Sequence, residues 1–250
     1  MEFQPAIPPG PPAPPEAFYT RLGLSDRAPA DRPYVVANFI SSADGKAAAD
    51  GRTAALGGPG DRAAFHLLRT EVDAVLAGNR TMFIENYGPL AKNPQLSALR
   101  VNAGRTPQPL GVVVSRSGTI PFDIPLFADP ESHIAVYGPA GLDVPDTAAK
   151  VTLYELPDDD EEALRHVMGS LRADHAVRSL LCEGGPSLFS ALLADGVVDE
   201  LFLTLAPKLV GGDEMGITTG RPLDELAEMR LVSAFEQDGT LFLRYASARD

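Results

Sequence analysis

Four short stretches of this 250-residue chain combine residue types that can do chemistry. In Leu180-Leu181-Cys182-Glu183-Gly184-Gly185-Pro186-Ser187-Leu188, an apolar run enters two glycines and then a helix with proline near its first turn. Backbone N–H groups converge there without side chains in the way, so the segment reads either as a tight turn or as a cradle for a phosphate or pyrophosphate. It lacks the G-x-G-x-x-G spacing of the common dinucleotide turn. In Val112-Val113-Val114-Ser115-Arg116-Ser117, a strand ends in two hydroxyls flanking a guanidinium. That set is either a solvent-facing arginine or a site for a phosphate monoester such as the 2′-phosphate of NADPH. Ser41-Ser42-Ala43-Asp44-Gly45-Lys46 places a carboxylate and an ammonium in a tight turn at a strand's C-terminal end, where α/β sheets bind ligands. Arg62 and Arg69, seven apart on one helix, form a solvated stripe or bracket an anionic substrate.

The elements that must position these groups alternate between apolar runs and helix-length segments, the pattern of an α/β sheet. Strands are expected at 34–40, 73–78, 110–115, 133–137, 151–156, 178–183 and 200–205, with helices at 59–72 and 186–195 and a long Gly- and Asp-rich loop at 41–60. The acidic run at 158–162 precedes Leu164, Val167, Met168 and Leu171, so it reads as the first turn of a helix, where carboxylates favour the positive end of the dipole. Asp238-Gly239 before 240–245 signals a hairpin and an antiparallel pair at the C-terminus. Seven prolines in the first fifteen residues suit an extended, flexible lead-in over 1–32. Residues 33–250 then form a single domain.

Composition narrows the function. Lys and Arg number 21 against 34 Asp and Glu, a net charge of −13, which argues against a general nucleic-acid binder. The single cysteine, Cys182, excludes an internal disulfide framework and the cysteine-ligated zinc centre of nucleobase deaminases. No run of about 18 apolar residues and no secretory leader pattern is present, so the expectation is a cytoplasmic protein with no membrane partner. Residues 41–120 carry +3 and the remainder −16, a locally basic segment suited to a small polyanion.

Taken in order, these pieces resemble the reductase domain of bacterial riboflavin-biosynthesis deaminase/reductases and its stand-alone relatives. The resemblance is carried by Ser42 to Lys46, Arg62 to Arg69, Asp73 to Gly78 through Thr81, Glu183 to Leu188, Val198 to Leu201 and Ala206 to Gly212, and it spans about residues 33 to 245. It implies a dihydrofolate-reductase-like α/β fold, with a predominantly parallel sheet flanked by helices and an antiparallel C-terminal edge. It also implies NADPH as cofactor, reduction of the ribosyl group of a phosphoribosylamino-pyrimidine to ribityl, and a homodimer.

By that resemblance Thr81, Glu85, Ser115, Gly184, Gly185, Pro186, Ser187 and Leu188 fall where the family holds NADPH, and Arg116 joins them on its chemistry. Thr53, Arg69, Lys92 and Glu183 fall where the family contacts the ribose phosphate and the pyrimidine. Lys46, Asp44 and Glu183 are the groups able to polarise the reacting bond or relay a proton. Two departures stand out. The family's acidic pair and proline after Thr81 are replaced by Glu85-Asn86-Tyr87-Gly88, and Lys92 stands where arginine is usual, keeping the charge without the bidentate fork. Tyr87 therefore also admits a reading in which it stacks on a pterin-like ring, making a pterin reductase of the same fold one alternative. A non-catalytic NADPH-binding protein is the other.

Overall fold

The computed structural model describes residues 1–220 and 222–248, apart from the side chains of Asp160 and Glu161. The dipole reading of those two carboxylates lies outside the described residues. In chain order the elements are β1 (Gln4–Ile7), α1 (Glu16–Tyr19), β2 (Tyr34–Ser42), α2 (Pro59–Glu71), β3 (Ala74–Gly78), α3 (Asn79–Ile84), α4 (Pro94–Asn102) and β4 (Leu110–Val114). There follow β5 (His133–Gly138), β6 (Lys150–Glu155), α5 (Asp160–Asp174), β7 (Ser179–Cys182), α6 (Pro186–Ala194), β8 (Val198–Ala206), β9 (Met229–Gln237) and β10 (Thr240–Ser247). The chain forms two compact units, one of residues 1–20, 35–67 and 183–250, the other of 21–34 and 68–182.

In the second unit the strands run in the order β7-β3-β4-β5-β6, and every pairing is parallel. Strands of this kind are short and continuously apolar because both faces are covered. Val75, Leu76, Val112, Val113, Ile134 and Val136 are accordingly all buried. Asp73 pins the register: its Oδ2 accepts from the N–H groups of Arg178 and Ser179, both at 2.9 Å, and Ser25 Oγ donates to it at 3.2 Å. The expected helix after the acidic run is α5, and Asp159 caps it by accepting the N–H of Glu162 at 3.1 Å.

In the first unit the order is β1-β9-β10-β8-β2, with β2 and β8 parallel and the remaining pairs antiparallel. The Asp238-Gly239 signal holds. Both residues have positive φ, 50° and 79°, and Gln237 pairs with Thr240 across a two-residue turn, the geometry that matches strand twist.

The N-terminal stretch departs from the flexible lead-in expected of it. Residues 4–7 form β1 on the outer side of β9, so the expected antiparallel C-terminal edge of β9 and β10 is present and the N-terminus adds one more strand to it. Pro5 is tolerated because an edge strand leaves N–H groups unpaired. Phe3 fixes the segment: it is fully buried, its ring stacked 4.4 Å from Phe242, while Phe18 lies 4.2 Å from Phe235. Burying a phenylalanine stabilises by about 2 kcal/mol, which offsets the ordering of a proline-stiffened segment. Proline count alone could not reveal a partner more than 200 residues away.

Candidate functional site

In the first unit, the turn after β2 is built around Ser42. Its N–H donates to Lys46 O at 2.8 Å, its Oγ donates to Asp44 Oδ1 at 2.6 Å and accepts from the Lys46 N–H at 2.9 Å, and Gly45 takes φ +83°. Asp44 then accepts the N–H groups of Val210 at 3.1 Å and Gly211 at 2.7 Å. These bonds, the one from Ser42 foremost, hold its carboxyl down at about 2, from an ordinary 3.8. Held in its charged form by these donors, the Asp44 carboxylate fits a clamp on the loop after β8 better than a proton relay.

The sign of the pH dependence follows. Asp44 has a lower pKa folded than unfolded, so its contribution is complete above about pH 4 and is lost as pH falls through about 2. For Asp44→Asn we expect faster hydrogen exchange at the Val210 and Gly211 amides and an unchanged pH profile of turnover. Loss of one limb of that profile would return Asp44 to the chemistry.

Lys46, by contrast, is half-buried and its ammonium makes no hydrogen bond or ion pair with any described residue. Thr53 is exposed, in a turn where its carbonyl accepts the Leu56 N–H at 2.9 Å. That turn is held by Lys208, whose Nζ donates to Ala55 O at 2.7 Å and Leu56 O at 3.0 Å.

The Gly-Gly segment lies in the same unit. Glu183 is buried, Gly184 has φ +103°, and the Gly184–Gly185 peptide is cis. α6 starts at Pro186 with Gly185 as N-cap and no side-chain cap, and the first amide bonded inside the helix is that of Phe189, to Gly185 O at 3.0 Å. The amides of Ser187 and Leu188 thus meet no acceptor among the described residues. Phe189, 4.5 Å from Phe39 of β2, anchors the helix. A main-chain donor pair at a helix start, with no side chain on the two residues before it, fits a phosphate group. Gly184→Val would be a poor probe of this, because a branched residue at that φ strains the backbone itself.

In the second unit, α3 follows β3, and the loop after β4 lies beside it because β3 and β4 are parallel neighbours, Gly78 opposite Val114. Asn79 Nδ2 and Ser115 Oγ both donate to Thr119 O, at 2.8 and 3.0 Å, which ties the two strand ends together. Thr81 and Glu85, both half-buried, lie on and just after α3, so the expected cofactor residues of this unit gather beyond the C-terminal ends of adjacent parallel strands. Arg116 is exposed but engaged. Its Nη1 donates to Pro157 O at 2.7 Å and Asp158 O at 3.2 Å, and its Nη2 donates to Asp159 O at 3.1 Å. A phosphate there would meet a guanidinium already turned toward the entrance of α5.

Arg62 is exposed whereas Arg69 is buried, so they do not form one solvated stripe. Arg69 lies over the Tyr87 ring at 5.1 Å and its Nη1 donates to Leu90 O at 3.4 Å, which brings it to the segment ending in exposed Lys92. Tyr87 is buried with that guanidinium over its ring, so the face that would stack on a pterin is already covered by Arg69. The residues that hold this corner, Arg100 and Gln108, escaped the sequence reading. Asn93-Pro94, an N-cap followed by proline at the first helical position, was the signal that could have revealed α4 and with it Arg100. Nothing local marks Gln108.

Residues 33–242 match the RibD C-terminal domain family. The chain is 30% identical over 208 residues to a 2,5-diamino-6-ribosylamino-4(3H)-pyrimidinone 5′-phosphate reductase of Methanothermobacter thermautotrophicus, covering 79% of this chain and 88% of that protein. It is 29% identical over 220 residues to the riboflavin biosynthesis protein RibD of Actinobacillus pleuropneumoniae, covering 81% of this chain but only 54% of that protein, so it spans about half of the relative. The fold is that of a pyrimidine reductase-like protein from Corynebacterium diphtheriae, with TM-score 0.76 and 24% identity over 94% of this chain and 99% of the other.

Proposed function

The chain belongs to the RibD C-terminal domain family and is an oxidoreductase of the riboflavin-biosynthesis pyrimidine-reductase class, and from that premise we propose that it uses NADPH to reduce the ribosyl group of a phosphoribosylamino-pyrimidine. The observation that carries this reading is the uncapped start of α6 behind Gly184 and Gly185, which supports a phosphate-bearing cofactor held by main-chain donors. When bound, the nicotinamide supplies the hydride. The chain's own work is to bind, orient and handle the proton.

Gly184 to Leu188, Thr81, Glu85, Ser115 and Arg116 are assigned to the cofactor, and Thr53, Arg69, Lys92 and Glu183 to the substrate. Lys46 and Glu183 are assigned to the reacting end, where an ammonium or a carboxyl group can polarise the bond being reduced and relay a proton. Arg116 reads the 2′-phosphate in this scheme, because a phosphate dianion is a stronger acceptor than the three carbonyls it now holds. Arg116→Ala should then lower the NADPH-over-NADH preference in kcat/KM by about tenfold. An unchanged preference reduces Arg116 to a staple for the entrance of α5.

No helix among the described residues is long and apolar enough to cross a membrane. We place the protein in the cytoplasm as a homodimer, the latter to be checked by light scattering. The deciding assay is NADPH oxidation with the deaminated and undeaminated phosphoribosylamino-pyrimidines and with dihydrofolate. Turnover with either pyrimidine supports the proposal; turnover with dihydrofolate alone, or NADPH binding without any turnover, overturns it.

A further inference from the structure

We infer that Arg100, Thr106 and Gln108 form a positioning scaffold that presets Arg69 and Lys92 for the substrate's phosphate; the inference rests on the assignment of those two cations to that group. Arg100 is fully buried, an expensive place for a guanidinium. Its Nη1 donates to Arg69 O at 2.7 Å and Val72 O at 2.6 Å, closing off carbonyls at the C-terminal end of α2, and its Nε donates to Thr106 O at 2.8 Å. Thr106 Oγ1 donates to Gln108 O at 2.6 Å. The Gln108 carboxamide then pairs with both main-chain groups of Ala91, accepting its N–H at 2.8 Å and donating to its carbonyl at 3.1 Å.

One continuous path of hydrogen bonds therefore runs from the backbone of Arg69 to the residue preceding Lys92. Its two ends meet again where Arg69 donates to Leu90 O. Burial pushes the Arg100 guanidinium down to about 10, which still leaves it charged at neutral pH. Its Nη2 finds no acceptor among the described residues. A core needing only stability is better served by an apolar side chain of this volume. What an arginine adds is a planar fork that fixes three carbonyls in one geometry. A phosphate dianion gains from that fixity, because a buried guanidinium and a lysine whose backbone entry is held leave less to be ordered on binding.

The test compares the phosphorylated pyrimidine with the same compound lacking its phosphate, using Arg100→Lys, Gln108→Leu and, as a control, Lys92→Met, with folding checked by circular dichroism. Gln108→Leu supplies the answer should Arg100→Lys fold poorly. For the folded scaffold variants KM for the phosphorylated substrate should rise roughly tenfold, the effect of one lost hydrogen bond in a positioned site. kcat, the affinity for NADPH and the KM for the dephosphorylated compound should stay within about twofold. Lys92→Met should likewise flatten the preference for the phosphorylated form. If Lys92→Met keeps that preference, the phosphate assignment fails and the scaffold with it. If Lys92→Met loses it while the scaffold variants keep it, or slow both substrates equally, the scaffold alone is overturned.

Discussion

Arg69→Met is expected to lower kcat/KM for the phosphorylated pyrimidine by about 10²- to 10³-fold, as befits removal of a charge-assisted contact made by a buried guanidinium. The reason lies in how the side chain is held. Arg69 is buried, its guanidinium rests on the Tyr87 ring and donates to Leu90 O, and its backbone is fixed by Arg100. Methionine preserves most of the apolar stem, so the packing lost is small. Loss of the contact with Tyr87 should cost about 1 kcal/mol of stability. The variant should therefore fold, bind NADPH as before and fail selectively on the substrate's phosphate. Kinetics with and without that phosphate decide the matter. An equal loss on both compounds would make Arg69 a structural residue, and no loss would remove it from the site.

The largest effect on stability is expected at Glu200. β8 and β10 are antiparallel with Phe202 opposite Arg244, which makes Glu200 and Arg244 diagonal neighbours on one face. Arg244 donates to Glu200 through Nε at 2.8 Å and Nη2 at 3.0 Å, a two-point contact, and also lies over the Phe202 ring at 5.3 Å. Glu200 is only 1% exposed. Glu200→Leu leaves a mostly buried guanidinium without its carboxylate, which should cost about 3 kcal/mol. For a chain of this length that is a fall in Tm of roughly 6 to 12 °C. Adding Arg244→Met should recover most of the loss, since replacing both members of a buried pair with apolar groups is often neutral. Calorimetry on the two single variants and the double variant tests this; additive losses would show that the two charges do not act as a pair.

Local signals located most of the sheet. The apolar runs of β3, β4, β5 and β7 are continuous because covering both faces of a parallel strand leaves no polar alternation. Asp238-Gly239 gave the hairpin because few residues other than these accept positive φ twice in succession. α6 was legible from Gly-Gly-Pro. The helix α3 was not, since its six residues are too few for periodicity to appear. β1 was hidden by its prolines, and its stability comes from Phe3 meeting Phe242.

Among the candidate site residues, type and order singled out the segments, but what each side chain touches depended on partners far along the chain. Asp44 and Lys46 sit two residues apart in one turn, and spacing treats them alike. Gly211, 167 residues away, makes the first a clamp, while the ammonium of the second is left unengaged among the described residues. Arg62 and Arg69 likewise share a helix, yet one is exposed and the other buried beneath a hydrogen-bonded corner.

By itself, then, the sequence determined what is set within a few residues: turns that require glycine, a helix start that requires no N–H, strands that must be apolar throughout, and the order of motifs that marks the family. Only the tertiary structure decided which charges are desolvated and which remain in water, because desolvation depends on segments joined by folding rather than by the chain. A carboxylate or guanidinium acquires its acidity, its reach and its function from that difference.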